Sequence, residues 1–254
     1  MSTDMAADTP HFRFRFLPVL TVILLGLGLP YLAGELVDFA RHYTHLIPPI
    51  ADRIGWLYAH NTVQLVLALV AIAAMKWLAP ADYGLRVPED QSYAPQAILF
   101  GVGLGVLMTL VDYAPNLMAH TPPKLGFPVT TGAAAAWLGF EGVYAGPTEE
   151  ILYRSLLVTF LAAKMPGKVH YGSHGMSGAG VVVAGLFAFI RNFQNYFDHP
   201  WWQVSAQIVL VFALGVLAAY WLEKSRSILA PILGRNASGA TEVALVLLMV
   251  NFWR

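Results

Sequence analysis

Two adjacent glutamates and an arginine lie in a stretch of this sequence that is otherwise apolar. Residues 147–154 read Pro-Thr-Glu-Glu-Ile-Leu-Tyr-Arg. Ionisable side chains at membrane depth are costly and rare, so they indicate a functional site. If a helix starts or kinks at Pro147, Glu150 and Arg154 lie on one face and Glu149 points about 100° away. One carboxylate can then be held by Arg154 while the other stays available for chemistry. A buried structural ion pair is the alternative.

Further charged and amide side chains occur in neighbouring apolar segments. The charged residues are Glu141, Arg191, Arg235 and Glu242, with Asp112 nearer the edge of a segment. Such groups are tolerated at membrane depth only when they face one another or a water-filled cavity. We therefore expect them to converge on one cavity, whose candidate ligand-binding residues are Asn192, Asn195, Asn236 and Glu242. Polar contacts that merely hold a helical bundle together give the same pattern.

The elements that position these side chains are predicted to be membrane-spanning helices. Of the 254 residues, 57% are hydrophobic and only 12% are charged, whereas a soluble domain has roughly 25% charged residues. Apolar runs of about twenty residues predict an all-α, polytopic transmembrane bundle of about seven spans. The spans are 16–37, 61–78, 95–118, 132–163, 178–197, 202–222 and 228–253. Splitting the last segment gives an eighth.

These spans predict a short tail at 1–15, three accessory transmembrane helices within 16–118 and a core at 132–254. The fourth span is long enough for two helical pieces, and we predict a break at Gly146 and Pro147 because proline removes a backbone donor. Basic residues are more frequent on the N-terminal side of the spans, which predicts a cytoplasmic N-terminus.

Composition also excludes several kinds of site. Fifteen basic residues balance fifteen acidic ones, so nothing indicates a nucleic-acid partner. With no cysteine there is no disulfide, thiolate nucleophile or Cys-ligated metal. The histidines of the loop 38–60 are not at a helical ligand spacing with a carboxylate between them, so we predict no metal site there.

Four segments within residues 132–240 carry a family resemblance. Residues 149–154 are similar to a motif of two glutamates followed after three residues by arginine, and residues 185–191 to a motif of phenylalanine followed four residues later by histidine. Residues 212–220 and 227–233 read like a further helix, a short cytoplasmic turn and the start of a last core helix. The chain resembles the CAAX protease and bacteriocin-processing (Abi) family of intramembrane peptidases.

The chain departs from the family at two positions. Arg191 and Arg235 stand where the family motifs have histidine, and Ser238 or Gly239 stands near the position of a motif asparagine. No histidine lies within a predicted span. In the family, a glutamate is thought to activate water, while the histidines and asparagine position that water, hold an oxyanion or bind a metal. Arginine neither accepts a proton nor binds a metal, but it can stabilise an oxyanion.

The resemblance implies an intramembrane endopeptidase that acts on a membrane-anchored protein or peptide, and the two arginines imply that it acts without a metal or cofactor. Glu149 is the expected general base, and Arg154 is expected to hold Glu150. Arg191 or Arg235 then stabilises the tetrahedral oxyanion. The two arginines also stabilise the ionised glutamate, which weakens it as a base. In this reading Asn192 or Asn236 orients the water.

The alternative is a catalytically inactive relative. Its arginine-lined cavity would bind an anionic ligand or the transmembrane helix of a partner. A transporter is a third reading, but it normally has two related halves with broken helices, and only one break is predicted. All readings place the chain among membrane lipids, and the resemblance implies the bacterial inner membrane.

Overall fold

The computed structural model describes residues 14–43, 53–78, 80–88, 92–171, 174–193 and 199–253. These residues form helices and a single β-hairpin. The first four helices are α1 (Phe16–Tyr43), α2 (Arg53–Leu78), α3 (Ala94–Asp112) and the short α4 (Ala114–Ala119). Most of the N-terminal tail, much of the loop 38–60, and Asn195 lie outside the described residues.

Residues 131–164 form a continuous helical run with two π-helical segments. The run consists of α5 (Thr131–Gly139), a π-helical segment (Phe140–Tyr144), α6 (Ala145–Glu150), a second π-helical segment (Ile151–Val158) and α7 (Thr159–Lys164). The antiparallel strands β1 (Lys168–Tyr171) and β2 (His174–Ser177) follow. The chain then forms α8 (Gly178–Asn192), α9 (Trp201–Ser225) and α10 (Leu229–Phe252).

Five of these helices, α1, α2, α3, α9 and α10, are long and apolar enough to cross a membrane. Their outward faces carry large exposed apolar side chains such as Leu24, Val70, Leu99 and Val209. Water disfavours such a surface, whereas lipid tails accept it. The run 131–164 and α8 account for the other two predicted spans. The protein is a polytopic, all-α integral membrane protein.

Successive helices alternate in direction. One cavity is surrounded by residues 81–84, 158–163, 177 and 222–226, where α9 and the run 131–164 end and α8 begins. A second cavity is surrounded by residues 112–113, 124, 192 and 199–207, where α3 and α8 end and α9 begins. The two cavities therefore lie at opposite ends of the bundle. Because α10 runs unbroken from Leu229 to Phe252, the last segment is one crossing rather than two.

Glycines hold α3 tightly against α10. A Cβ atom at Gly105 would lie 2.5 Å from the Ser238 carbonyl oxygen, and one at Gly101 would collide with the Gly234 carbonyl. Small residues let two helix backbones approach to this distance in a membrane. This contact fixes the position of α10, which carries Arg235.

The structure corrects two further sequence-based expectations. The predicted break at Gly146 and Pro147 is absent, because a side chain of α10, Asn236, donates to the Val143 carbonyl that Pro147 leaves without its usual donor. The second span begins at Arg53 rather than at residue 61, so His60 lies within a helix. Its Nε2 atom donates to the Pro30 carbonyl of α1 at 3.0 Å, which gives the ring N–H an acceptor on the neighbouring helix.

Candidate functional site

The carboxylate of Glu149 is enclosed by two arginines. Arg235 binds it with two nitrogens, Nε to Oε2 at 2.7 Å and Nη2 to Oε1 at 3.1 Å. Arg191 binds it with one nitrogen, Nη1, which lies 3.1 Å from both oxygens. An ionised carboxylate offers about four acceptor positions. These four hydrogen bonds fill them, so in this conformation no lone pair of Glu149 is available to a water molecule.

The two arginines are held differently. Arg235 is only 5% exposed, and its Nη2 also lies 3.1 Å from Oε2 of Glu141. It is therefore fixed between two carboxylates. Arg191, the last basic residue of α8, is 37% exposed. It bonds Glu149 through one of its nitrogens, Nη1. Arg235 is the anchored partner of Glu149, and Arg191 is the one that faces outward.

Gly239 provides the space for this arrangement. It lies one turn after Arg235 on α10, and a Cβ atom there would lie 2.6 Å from Oε2 of Glu141 and 2.7 Å from Nη1 of Arg235. Any side chain at this position would displace the ion pair. Gly239, which stands near the family's asparagine position, thus leaves room for the Glu141–Arg235 contact because it has no side chain.

Glu150 and Arg154 form a separate, fully buried pair. Both side chains are 1% exposed, and Nε of Arg154 lies 3.2 Å from Oε2 of Glu150. The distance suits an ion pair, but the direction is not that of a hydrogen bond. Within the described chain, the three guanidinium nitrogens and the neighbouring Ser155 hydroxyl have no hydrogen-bond acceptor or donor. The predicted pairing is therefore present, with little hydrogen bonding to support it.

The ring of Phe187 lies close to one arginine of each charge system. Its centroid is 4.8 Å from the Arg154 guanidinium carbon and 6.0 Å from that of Arg191. Tyr153 packs on the same ring with centroids 4.5 Å apart, and its hydroxyl donates to the Gly26 carbonyl of α1. Phe187 is the phenylalanine of the second motif, and its cation–π contacts are a role that the motif comparison did not predict.

Asn236 bonds the backbone of the helix that carries Glu149. Its Oδ1 accepts from the Gly146 amide at 2.8 Å, and its Nδ2 donates to the Val143 carbonyl at 3.2 Å. Both polar atoms of the side chain are thereby occupied. Asn236 was predicted from the sequence to bind a ligand. In the structure its side chain bonds the backbone of a neighbouring helix.

Asn192 and Glu242 lie nearer the second cavity, and Asn195 is outside the described residues. The Asn192 amide donates to the Ala188 carbonyl of its own helix at 2.9 Å. Glu242 borders a narrow space beside Arg191 and Arg235. We call the second cavity the polar cavity. It has a volume of about 240 Å³ and is lined by Asp112, Tyr113, Lys124, Asn192, His199, Gln203, Val204 and Gln207.

Several polar residues of the site were not predicted as site residues from the sequence. Gln203 and Gln207 donate to the carbonyls of Asp112 and Met108, at 2.6 and 3.0 Å. On the opposite side of the run, the Thr148 hydroxyl donates to Oδ1 of Asn61 at 2.9 Å. The sequence did contain a sign of these residues, since Gln203, Gln207 and Asn61 are amide side chains inside predicted spans. An amide at membrane depth requires a hydrogen-bond partner.

The donor set does not fit a metal ion. Both arginines lack a lone pair to donate, and the carboxylate of Glu149 is fully engaged by them. Across the ranges that the structure describes, no three His, Cys, Asp or Glu side chains are close enough to hold a metal. The metal role considered for the family therefore has no counterpart in the residues that surround Glu149.

A comparison with protein families matches the part of the chain that contains this site. Residues 131–237 match the family described as type II CAAX prenyl endopeptidase Rce1-like. No curated protein and no solved structure matches the chain. The matched residues extend from α5 to the first part of α10 and contain Glu149, Glu150, Arg154, Arg191 and Arg235. Residues 131–237 thus form an Rce1-like domain, a membrane-embedded fold of the CAAX-protease type.

Proposed function

We propose that this chain is an intramembrane endopeptidase that rests with its catalytic glutamate covered. The observation that carries the proposal is the unequal hold of the two arginines on Glu149. Arg235 is buried and fixed by Glu141, whereas Arg191 is exposed and bound through one nitrogen. Movement of Arg191 alone uncovers one side of the carboxylate and leaves its orientation unchanged.

Peptide hydrolysis begins when Arg191 moves from Glu149 to the substrate. Its guanidinium hydrogen-bonds the carbonyl oxygen of the scissile peptide, and the freed carboxylate oxygen binds a water molecule. Glu149 takes a proton as the water oxygen attacks the carbonyl carbon. Arg191 stabilises the resulting oxyanion. Glu149 then returns the proton to the leaving amine, and the C–N bond breaks.

The substrate class follows from the surroundings of the site. Glu149 lies near the middle of the run 131–164, so a scissile bond must reach the interior of the bundle. The polar cavity lies at one end of the bundle, and Asn192, the residue after Arg191, lines it. A protein or peptide that is anchored in the bilayer fits both requirements. We infer that the substrate approaches Arg191 from the polar cavity.

Hydrolysis of a membrane-anchored peptide by the purified protein tests the proposal. Glu149→Gln removes the proton acceptor, and we expect it to lower the rate by at least about 100-fold. Glu141→Gln is the matched control, because Glu141 contacts Arg235 and not the reacting water; we expect a much smaller loss. Hydrolysis that survives Glu149→Gln contradicts the role of Glu149.

Restoring the family's residue type gives a second test. Arg191→His removes the second arginine from Glu149 and supplies a group that can position water. We expect this variant to hydrolyse the reporter peptide faster than the unchanged protein. A variant that remains folded and becomes slower shows that Arg191 contributes more to oxyanion stabilisation than it withholds from Glu149.

A second function is supported by the four hydrogen bonds that fill the Glu149 carboxylate. A protein that only binds a membrane segment needs no free lone pair there, and Arg191 suits a carboxylate of the bound segment. In that case the purified protein binds an anionic membrane peptide, Arg191→Gln weakens the binding, and the peptide stays intact. The cleavage and binding assays together distinguish the two functions.

We also propose the inner membrane of a bacterium as the location, with the N-terminal end of α1 in the cytoplasm. The excess of basic residues on that side supports the orientation. Because the chain has no cysteine, single cysteines at Lys164 and at Lys124 report opposite ends of the bundle. An impermeant thiol reagent added outside the cell should label Lys124→Cys and not Lys164→Cys; the reverse result inverts the orientation.

A further inference from the structure

The proline in the helix that carries Glu149 leaves one backbone carbonyl without its helical donor. Pro147 has no N–H group, so the Val143 carbonyl, four residues earlier, cannot receive the usual bond. In a membrane interior an unsatisfied carbonyl is costly. Nδ2 of Asn236 donates to this carbonyl at 3.2 Å. A side chain of α10 therefore replaces the donor that Pro147 removes.

The same amide makes a second bond one turn before Glu149. Its Oδ1 accepts from the Gly146 amide at 2.8 Å. Gly146 has to lack a side chain, because a Cβ atom there would collide with Asn236 and lie 2.8 Å from the Ile232 carbonyl. The proline, the glycine and the asparagine form one interlocking contact between two helices.

The neighbouring residue of α10 binds Glu149 itself. Arg235 reaches the carboxylate while Asn236 holds the backbone three to six residues earlier. Sliding either helix would break both contacts together. We propose that Asn236 is a positioning residue: by bonding the proline-opened backbone at Val143 and Gly146, it sets the register of α10 against the Glu149 helix.

The proposal predicts a specific rescue. Asn236→Ala leaves the Val143 carbonyl unpaired, and we expect the apparent melting temperature in detergent to fall by about 4 to 8 °C. Pro147→Ala restores an N–H group for that carbonyl, so Pro147→Ala/Asn236→Ala should recover at least half of the loss. Asn61→Ala is the control, because Asn61 is a similarly buried asparagine that bonds the Thr148 hydroxyl instead; Pro147→Ala should not rescue it.

A distance measurement separates register from stability. Val143 and Leu248 are exposed to the surroundings of the bundle, on the Glu149 helix and on α10, and the chain has no other cysteine to label. Spin labels at Val143→Cys and Leu248→Cys should show a shifted or broader distance distribution in Asn236→Ala, but not in Asn61→Ala.

Neither readout depends on peptide hydrolysis, so a failed activity assay leaves this test intact. The proposal is overturned if the distance distribution is unchanged in Asn236→Ala, or if Pro147→Ala rescues both asparagine variants equally. Should Asn236→Ala fail to fold, the double variant decides: its folding supports the proposal, and its failure to fold overturns it.

Discussion

Glu149 and Glu150 are neighbours in the chain, yet their carboxylates lie in different surroundings. Glu149 accepts four hydrogen bonds from two arginines, one of which is 37% exposed. Glu150 faces one arginine, both side chains are 1% exposed, and the contact lacks hydrogen-bond geometry. Helix geometry explains the separation, because consecutive residues point about 100° apart.

The difference indicates two kinds of ion pair. The buried pair cannot exchange partners with a ligand, so its main effect is on folding. The Glu149 cluster has an exposed member, Arg191, whose chain neighbour Asn192 lines the polar cavity, so one of its contacts can be exchanged. Changes to Glu150 or Arg154 should therefore lower the stability of the fold most. Changes to Arg191 should lower stability least and alter the binding or cleavage of substrate most.

Arg154→Met should have the largest effect on stability. It leaves the Glu150 carboxylate buried without a counter-charge, and breaking a buried pair in this way costs roughly 3–5 kcal/mol. Chemical or thermal unfolding in detergent measures the loss. The double variant Glu150→Leu/Arg154→Met is the control, because apolar replacement of both partners is often neutral or stabilising. Equal losses in both variants contradict the assignment of a structural pair.

Glu149→Gln should have the next largest effect. It removes the negative charge, and the new NH2 group cannot accept the hydrogen bonds that one carboxylate oxygen accepts from the charged arginines, while Arg235 keeps its contact with Glu141. Such bonds contribute about 1.5–3 kcal/mol, and the partial hydration of the site favours the lower value. The same unfolding assay measures it. If Glu149→Gln lowers the free energy of unfolding as much as Arg154→Met does, Glu149 is as structurally important as the buried pair, and the distinction between the two glutamates is wrong.

Gly239→Ala should disturb the exposed cluster by steric contact. The new Cβ atom meets Glu141 and Arg235, and overpacking of this kind costs about 1–3 kcal/mol. Gly103→Ala on α3 is the matched control, because nothing lies within 4 Å of a Cβ atom there. We expect the control to be neutral or slightly more stable. A neutral Gly239→Ala indicates that the cluster rearranges at little cost.

Arg191→Gln should have the smallest effect on stability. An exposed arginine contributes at most about 1 kcal/mol through its ion pair. Salt sharpens the comparison, because 1 M salt screens exposed charges within about 3 Å and leaves buried ones nearly unaffected. The loss caused by Arg191→Gln should shrink in high salt, whereas that of Arg154→Met should not. If salt changes the stability losses of Arg191→Gln and Arg154→Met equally, the two ion pairs do not differ in exposure as proposed.

Local patterns in the sequence predict the helices and the pairing of Glu150 with Arg154. Both depend on spacings of a few residues within one element, which periodicity reports directly. The same patterns predict that charges converge, because isolated charges are too costly in lipid. The structure brings Arg191 and Arg235 to Glu149, although they are 42 and 86 residues away.

The remaining features depend on contacts between helices, which spacing does not encode. The break predicted at Pro147 is absent because Asn236, a residue of another helix, supplies the missing donor. Likewise, the complete occupation of the Glu149 carboxylate follows from the depth at which α8 and α10 end up beside it. No single-helix pattern specifies that depth.

The position of Phe187 has a consequence for the two charge systems that it contacts. A benzene ring has no dipole and little capacity to reorient, so it does not carry a proton or relay a hydrogen bond between Arg154 and Arg191. Protonation or ligand exchange at Glu149 is thereby kept from reaching the Glu150 pair by that route. The ring therefore blocks proton transfer along this path, while the charges of the two systems still act on each other through space.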